Sequence, residues 1–312
     1  MGLAHTSLFV TNSHGDMNII DQEICLGRMF FVDSSSAGCG DNQHCGQSMD
    51  RPFATLAYAV ANAVVDLRGD WIVLGPNHAE TIAAAAGIQF GTLGVPVRNV
   101  TVFGVIGHGG ARPTITFDGA GADTAIDINI DSDGVTFKNI RFLNTEDGAL
   151  APLDVNGANC VFDNCVFEDA GTDVTIDWIL NVAAGLTVKN CIHYGTSTAG
   201  GDTWISSGAA AGIRILGNQS YGDLAVANIE ATAALTNLII DGNWLQSENA
   251  TDVNIELFAA STGFVTRNYC RVATDAQVTW LNTQGNVMVG ENYGVNNNGE
   301  CGMLIAPGGV SV

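Results

Sequence analysis

Positive charge is scarce in this chain. Lys and Arg number 11 against 32 Asp and Glu, a net charge of −21 over 312 residues. That balance removes the electrostatic footprint on which nucleic-acid and anionic-membrane binders depend, so neither partner is expected. Long apolar runs are missing too. No stretch approaches bilayer-spanning length, and the opening MGLAHTSLFVTNSHGD shows no basic-then-apolar leader, so the expectation is folding in the cytoplasm of the producing cell. Proline is rare, at 6, whereas Gly reaches 38 and 46% of residues are hydrophobic; packed β-structure with many turns fits that mixture, and disorder does not. Eight cysteines form neither a CxxC pair nor a compact disulfide framework.

What is present is a period. Asn139, Asn164, Asn190, Asn218, Asn243, Asn268 and Asn292 recur at intervals of 24 to 28 residues, each between two short β-rich runs, as in GVTFKNIRF, NCVFDNCVF and NLIIDGNWLQ. A fixed period of this length marks a stacked solenoid. Asn tolerates the left-handed backbone of a tight bend, and its amide can bond the same amide one rung away. A further run lies between the Asn-bearing pairs (TAIDINI, APLDV, TIDWILNV, DTWISS, AVANIEA, VNIELFA, QVTWL), so each coil carries three strand segments. The expectation is an all-β, single-stranded parallel β-helix of about 25-residue coils with an Asn ladder. The inward residues fall two and four before Asn139 and Asn164 but three and five before Asn243 and Asn292, so the later turns read as one residue longer.

Three segments follow. Residues 1–28 lie outside the repeat and read as an extended arm. Residues 29–70 hold a strand (MFFVD), a polar loop and PFATLAYAVANAVVDL, where Pro52 suits a first helical position and Phe53, Leu56, Val60, Val64 and Leu67 share a helical face. Such a helix would cap the first rung of a solenoid over 71–312. After GMLIAPGGVSV no capping element follows, so the last rung requires a partner or a folded-back tail.

The coil length, the Asn ladder and the cap helix resemble the right-handed parallel β-helix, or pectin-lyase-like, superfamily, over about residues 50–312. The stretch FFVDSSSAGCGDNQHCGQSMDRPFATLAYAVANA is similar to the leading segment of many such proteins, among them virion components of tailed bacteriophages. The resemblance implies a structural virion protein, a head decoration or cement subunit on the capsid surface, partnered by the major capsid protein and forming a homotrimer. The alternative is a tailspike or tail fibre that binds or cleaves host surface polysaccharide.

Catalytic signals are weak. The hydrolase branch resembles an ordered set of NTD, DD, GHG and RIK; here GHG (107–109) precedes NTED (144–147), RIL stands at 214–216, and no DD occurs. Asp127, Asp131, Asp133, Asp154, Asp163 and Asp173 could pair across a scissile bond only by accident of stacking. Arg112 offers the lyase branch little. No enzyme activity, cofactor or metal is expected. Cys39 and Cys45 bracket CGDNQHC, for which a local disulfide, free thiols and a metal site with His44 stay open. Cys165 and Cys191 should stack on adjacent rungs within disulfide-bridging range, with small core residues the favoured reading, and Cys160 also points inward. Trp178, Trp204, Trp244, Trp280, Tyr221, Tyr269 and Tyr293 suggest either a sugar-stacking flank or core, with core favoured. Trp244, Tyr269 and Tyr293 should form one column. His78 and His108 read as turn residues.

Overall fold

The computed structural model describes residues 9–11, 17–19, 27–83, 87–92, 95–118, 127–170, 175–195, 201–248, 253–272, 281–283, 286–295 and 301–303. Three parallel sheets wind into a right-handed β-helix of about seven turns with coils of roughly 26 residues. Sheet I runs from Met29–Val32 through Thr136–Lys138 to Asn286–Gly290; sheet II from Ala79–Ile82 to Tyr293–Val295; sheet III from Ile88–Phe90 to Leu281–Thr283. Register is one coil per step: Phe137 lies beside Phe162, and Phe162 beside Val188. Right-twisted strands joined by crossovers pack back onto their sheet in this hand.

Alternation sorts the side chains. Every second residue of Arg141–Asn144 and its stacked neighbours is buried, and the interior fills with matched rings. Phe137 stacks on Phe162 at 5.4 Å and Phe142 on Phe167 at 5.5 Å, with Trp178 edge-on to Phe167. Such pairs add to area burial beyond the hydrophobic term, by about 0.5–1.5 kcal/mol each.

The cap is a shorter helix than the sequence pattern suggested. It spans Leu56–Asn62, with Thr55 as N-cap accepting from the Tyr58 N–H, so Pro52 lies outside it. Leu67 is exposed, at φ 58°, and not on a helical face. Strong polar anchors compensate for the short length. The Asp41 carboxylate accepts from Ala54 N, Thr55 N and Thr55 Oγ1, and Glu80 accepts from Leu56 N and Ala57 N. His78 is no idle turn residue. Its Nδ1 accepts from Ser34 N, which leaves Nε2 to donate to Glu80 at 3.3 Å.

At the far end, Cys301–Met303 pairs antiparallel with Tyr293–Val295, so the chain folds back over the last rung of sheet II. Residues 304–312 fall outside the described set. Of residues 1–28, expected as an extended arm, Phe9–Thr11 and Met17–Ile19 form an antiparallel pair and 27–28 begin the solenoid; the others lie outside the described residues.

Candidate functional site

The seven asparagines are two sets, not one ladder. Asn139, Asn164 and Asn190 themselves take the left-handed backbone, with φ between 53° and 62°. In the next four rungs that conformation belongs to the preceding residue: Gly217, Gly242, Arg267 and Glu291. Asn218, Asn243, Asn268 and Asn292 then point inward and are buried. The turn is therefore of constant length, and the one-residue offset seen in the sequence reflects where the Asn sits within it. The inward four form a continuous amide chain, Asn218 to Asn243 at 2.9 Å, Asn243 to Asn268 at 2.8 Å and Asn268 to Asn292 at 2.9 Å. Each Nδ2 also donates to a carbonyl of the rung below, Val188, Ile215, Ile240 and Val265 in turn. Among the first three, Asn164 donates to Asn139 at 2.8 Å, while Asn190 is exposed and turns to Asp163. A second left-handed corner stacks at Asn99, Gly134, Asn159, Gly185, Gly212 and Asn237, where a mixture of Gly and Asn gives no single-residue period in the sequence.

Cys39 and Cys45 are free thiols, so the disulfide held open above is not formed. Cys165 N–H donates to Cys191 Sγ at 3.4 Å, and both thiols are buried. Among the described residues, Asp131 and Asp154 are bridged by the Asn156 amide, at 3.2 and 3.1 Å. Burial and the neighbouring Asp131 push the Asp154 carboxyl up. Asp163 pairs with Lys138 and Lys189, Asp133 caps the Ala158 N–H, and Asp173 lies outside the described residues. Arg112 is spent on Asn164. A corner groove of about 480 Å³ at Gly217 and Gly242 is flanked by Lys189 and Arg267, and each of these is already paired with an aspartate.

One interior cluster has the composition of a nucleophilic triad: Asp169, His193 and Ser220. Its geometry forbids that chemistry. His193 and Ser220 are 0% exposed, and the Ser220 hydroxyl donates to Asn228 Oδ1, so Ser220 accepts from His193 Nδ1 and cannot be deprotonated by it.

The outer face of sheet II is different. Trp244, Tyr269 and Tyr293 are in register on consecutive rungs, Trp244 and Tyr269 with ring centroids 4.1 Å apart. The column exists as expected, but it faces solvent: Trp244 is 44% and Tyr293 49% exposed. Alternation explains it, because each of these residues directly follows an inward Asn. Beside it runs a second file, Tyr194, Tyr221, Gln246 and Arg271, with Tyr194 and Tyr221 stacked at 6.0 Å. The Tyr221 hydroxyl donates to Gln219 Oε1 at 3.0 Å, and Arg271 donates to Gln246 Oε1 at 3.3 Å. No carboxylate interrupts these eight residues, although the chain carries 32 acids. Trp178 and Trp204 are core, as expected, and Trp280 is not described.

Comparison with family models, with curated proteins and with solved structures gives no match, so the chain's own geometry is what bears on function.

Proposed function

We propose that this chain is a non-catalytic β-helix that contacts carbohydrate through the outer face of sheet II. The observation that carries this reading is the exposed aromatic file Trp244–Tyr269–Tyr293 with its amide and guanidinium neighbours. Aromatic carbon packs against the C–H faces of a sugar ring, while Gln219, Gln246 and Arg271 supply donors and acceptors for hydroxyls. Mutual stacking holds the rings in place before a ligand arrives, which lowers the ordering cost of binding. In the setting the sequence resemblance suggests, this is a phage tailspike or fibre that binds host surface polysaccharide without cutting it.

The test is affinity electrophoresis in gels containing neutral and acidic bacterial surface polysaccharides. Trp244→Ala and Tyr269→Ala should each weaken retardation at least tenfold with circular dichroism and melting unchanged. Retardation that survives both substitutions sinks the reading. Release of reducing ends or unsaturated products, with or without calcium, would instead establish an enzyme.

A second reading rests on a different stripe. On the outside of sheet I, Ile239, Phe264 and Met288 are in register, Phe264 49% and Met288 65% exposed. This stripe offers sugars no hydrogen bonds and suits protein packing. It supports a capsid decoration or cement subunit on the virion, docked on the major capsid protein or packed as a homotrimer. Light scattering for mass, and imaging of particles with full-length protein and a variant lacking residues 1–28, test it. A monomer that binds no particle refutes it.

A further inference from the structure

Ser220 and His193 belong to a longer buried chain whose direction is fixed at both ends by the backbone. At one end, Asn254 Nδ2 donates to the Arg271 carbonyl at 3.2 Å, an oxygen that can only accept. Asn254 Oδ1 therefore accepts from Asn228 Nδ2 at 2.7 Å, Asn228 Oδ1 accepts from the Ser220 hydroxyl, and Ser220 Oγ accepts from His193 Nδ1 at 2.8 Å. His193 must carry a proton on Nδ1.

At the other end, Asn144 is oriented by the backbone of Glu146, accepting its N–H at 3.0 Å and donating to its carbonyl at 2.8 Å. Asn144 Nδ2 thus also donates to Asp169 Oδ1, at 3.3 Å. The Thr175 hydroxyl reaches the same oxygen at 2.6 Å, and Trp178 Nε1 donates to Oδ2 at 3.3 Å. Three donors converge on Asp169, so it is held as an acceptor, a carboxylate. Within the Asp169–His193 pair, one ring nitrogen is left over, and Trp204 Nε1 beside it is likewise unpartnered. His193 Nε2 is fully buried with no hydrogen-bond partner, and it lies 3.9 Å from Asp169 Oδ2. A gap of 3.9 Å is too short to hold a bridging water. A bare lone pair buried this close to a carboxylate would be repulsive; a proton on Nε2 replaces that repulsion with attraction.

We infer that the interior holds a proton-binding site, with His193 carried in the folded protein as an imidazolium paired to Asp169. Trp204 stacks on the ring at 5.6 Å and 4°, an arrangement that suits a cation. Among the described residues, the elements around the ring contribute these titratable groups. From the rung below, Asp169 faces it and Glu168 points outward to Arg141. From the rung above, Ser220 faces it and Tyr221 points outward. Asp223, just past that strand, has a buried and unpartnered Oδ1, and Glu146 is buried beside Asn144. His193 lies between Ile192 and Tyr194, and Ser220 between Gln219 and Tyr221. The pair therefore braces the two strands that carry the stacked tyrosines of the outer face. This inference is independent of the carbohydrate reading.

A proton held by the folded state and released on unfolding makes stability fall as pH rises. The direct test is long-range proton–nitrogen correlation NMR of the uniformly labelled full chain at pH 7.5. One histidine should show both ring nitrogens protonated, and Asp169→Asn should move that same residue to the neutral form with its proton on Nδ1. The inference is overturned if no histidine of the wild-type protein is doubly protonated, if the doubly protonated one ignores Asp169→Asn, or if that variant puts the proton on Nε2. Should Asp169→Asn fail to fold, His193→Gln decides. Between pH 6 and 9 the melting temperature of wild type should fall more steeply than that of the variant, and parallel curves overturn the inference.

Discussion

Asn243→Ala and Asn190→Ala change the same residue type at neighbouring corners of the same solenoid, yet they should differ in cost. The Asn243 side chain makes four hydrogen bonds: it donates to Ile215 O and Asn268 Oδ1, and accepts from Asn218 N and Asn218 Nδ2. Asn268 Oδ1 and Asn218 Nδ2 each keep another partner. The Asn218 N–H does not, and an orphaned buried backbone N–H costs about 1–3 kcal/mol. The Ile215 carbonyl keeps its place in the parallel ladder with Leu238–Asp241 and loses only a second donor, so the loss is about 2–3 kcal/mol. Asn190 is exposed, and its amide makes one bond, to Asp163 at 3.3 Å. Alanine there mainly meets the left-handed backbone at φ 55°, a strain of about 1 kcal/mol beyond what Asn already bears. Guanidinium unfolding followed by circular dichroism gives the two values. Because solenoid rungs can open separately, hydrogen exchange at Asn218 N–H should accelerate in Asn243→Ala and not in Asn190→Ala. Equal losses in the two variants, or less than about 0.5 kcal/mol for Asn243→Ala, would refute the division of the asparagines into two sets.

Two more predictions concern ionisation. Asp70 is fully buried beside the cap; burial pushes its carboxyl up, but the Arg68 guanidinium and the N–H groups of Arg28 and Val65 outweigh that and hold it below the usual range. Its stabilising contribution is whole above about pH 4 and lost as pH falls through the lowered value, so melting between pH 5 and 2.5 should be flatter in Asp70→Asn than in wild type. The variant should also lose about 2 kcal/mol at pH 7 through the orphaned N–H groups; an unchanged acid slope would contradict the assignment. For the thiols, burial pushes Cys270 up to about 12 and Cys160 up to about 11, and Cys191 is raised as well. Iodoacetamide on native protein at pH 8 should leave all three unmodified while Cys39 reacts, as read by peptide mass spectrometry. Labelling of Cys270 before unfolding would show that the interior opens.

The fold was legible because a solenoid repeats its signal: each coil restates the period, so errors at one rung are corrected by the next. Placement within the corner was not. An Asn at a left-handed position and an Asn one residue later both satisfy a spacing near 25, and only the partner register, Asn190 beside Gly217 and Cys191 beside Asn218, separates them. The same one-residue ambiguity hid the outward direction of Trp244, Tyr269 and Tyr293, since a shift of one reverses every side chain on a strand. The buried His193 chain, from Asp169 to Asn254, joins residues up to 85 positions apart in sequence, and Asp169, His193, Ser220, Asn228 and Asn254 sit on five strands. Nothing local marks them, and only the three-dimensional stack brings Asp169, Ser220 and Asn254 to one interior line.

Cys191 occupies the inward position that the four upper rungs give to Asn, and the backbone around it is the same: a left-handed residue, Asn190, immediately precedes it. Even its contacts anticipate an amide. The Cys191 Sγ points at the Phe162 carbonyl, 3.5 Å away, and Phe162 is the register partner of Val188, the acceptor for Asn218. From above, Asn218 Oδ1 already accepts the Cys191 N–H at 2.8 Å; from below, the Cys165 N–H points at Cys191 Sγ. Asparagine at 191 would donate to Phe162 O and Asn218 Oδ1 and would give the Cys165 N–H an oxygen in place of sulfur. At about 1 kcal/mol net per bond, less the crowding of two extra heavy atoms, Cys191→Asn should stabilise by about 1–2 kcal/mol. Ile140→Asn is the control: it lies in the same column two rungs lower, where Cys165 offers no amide above, and should destabilise by burying an unpartnered group. If denaturant unfolding shows Cys191→Asn to be as harmful as Ile140→Asn, the amide chain is not what holds the upper rungs in register.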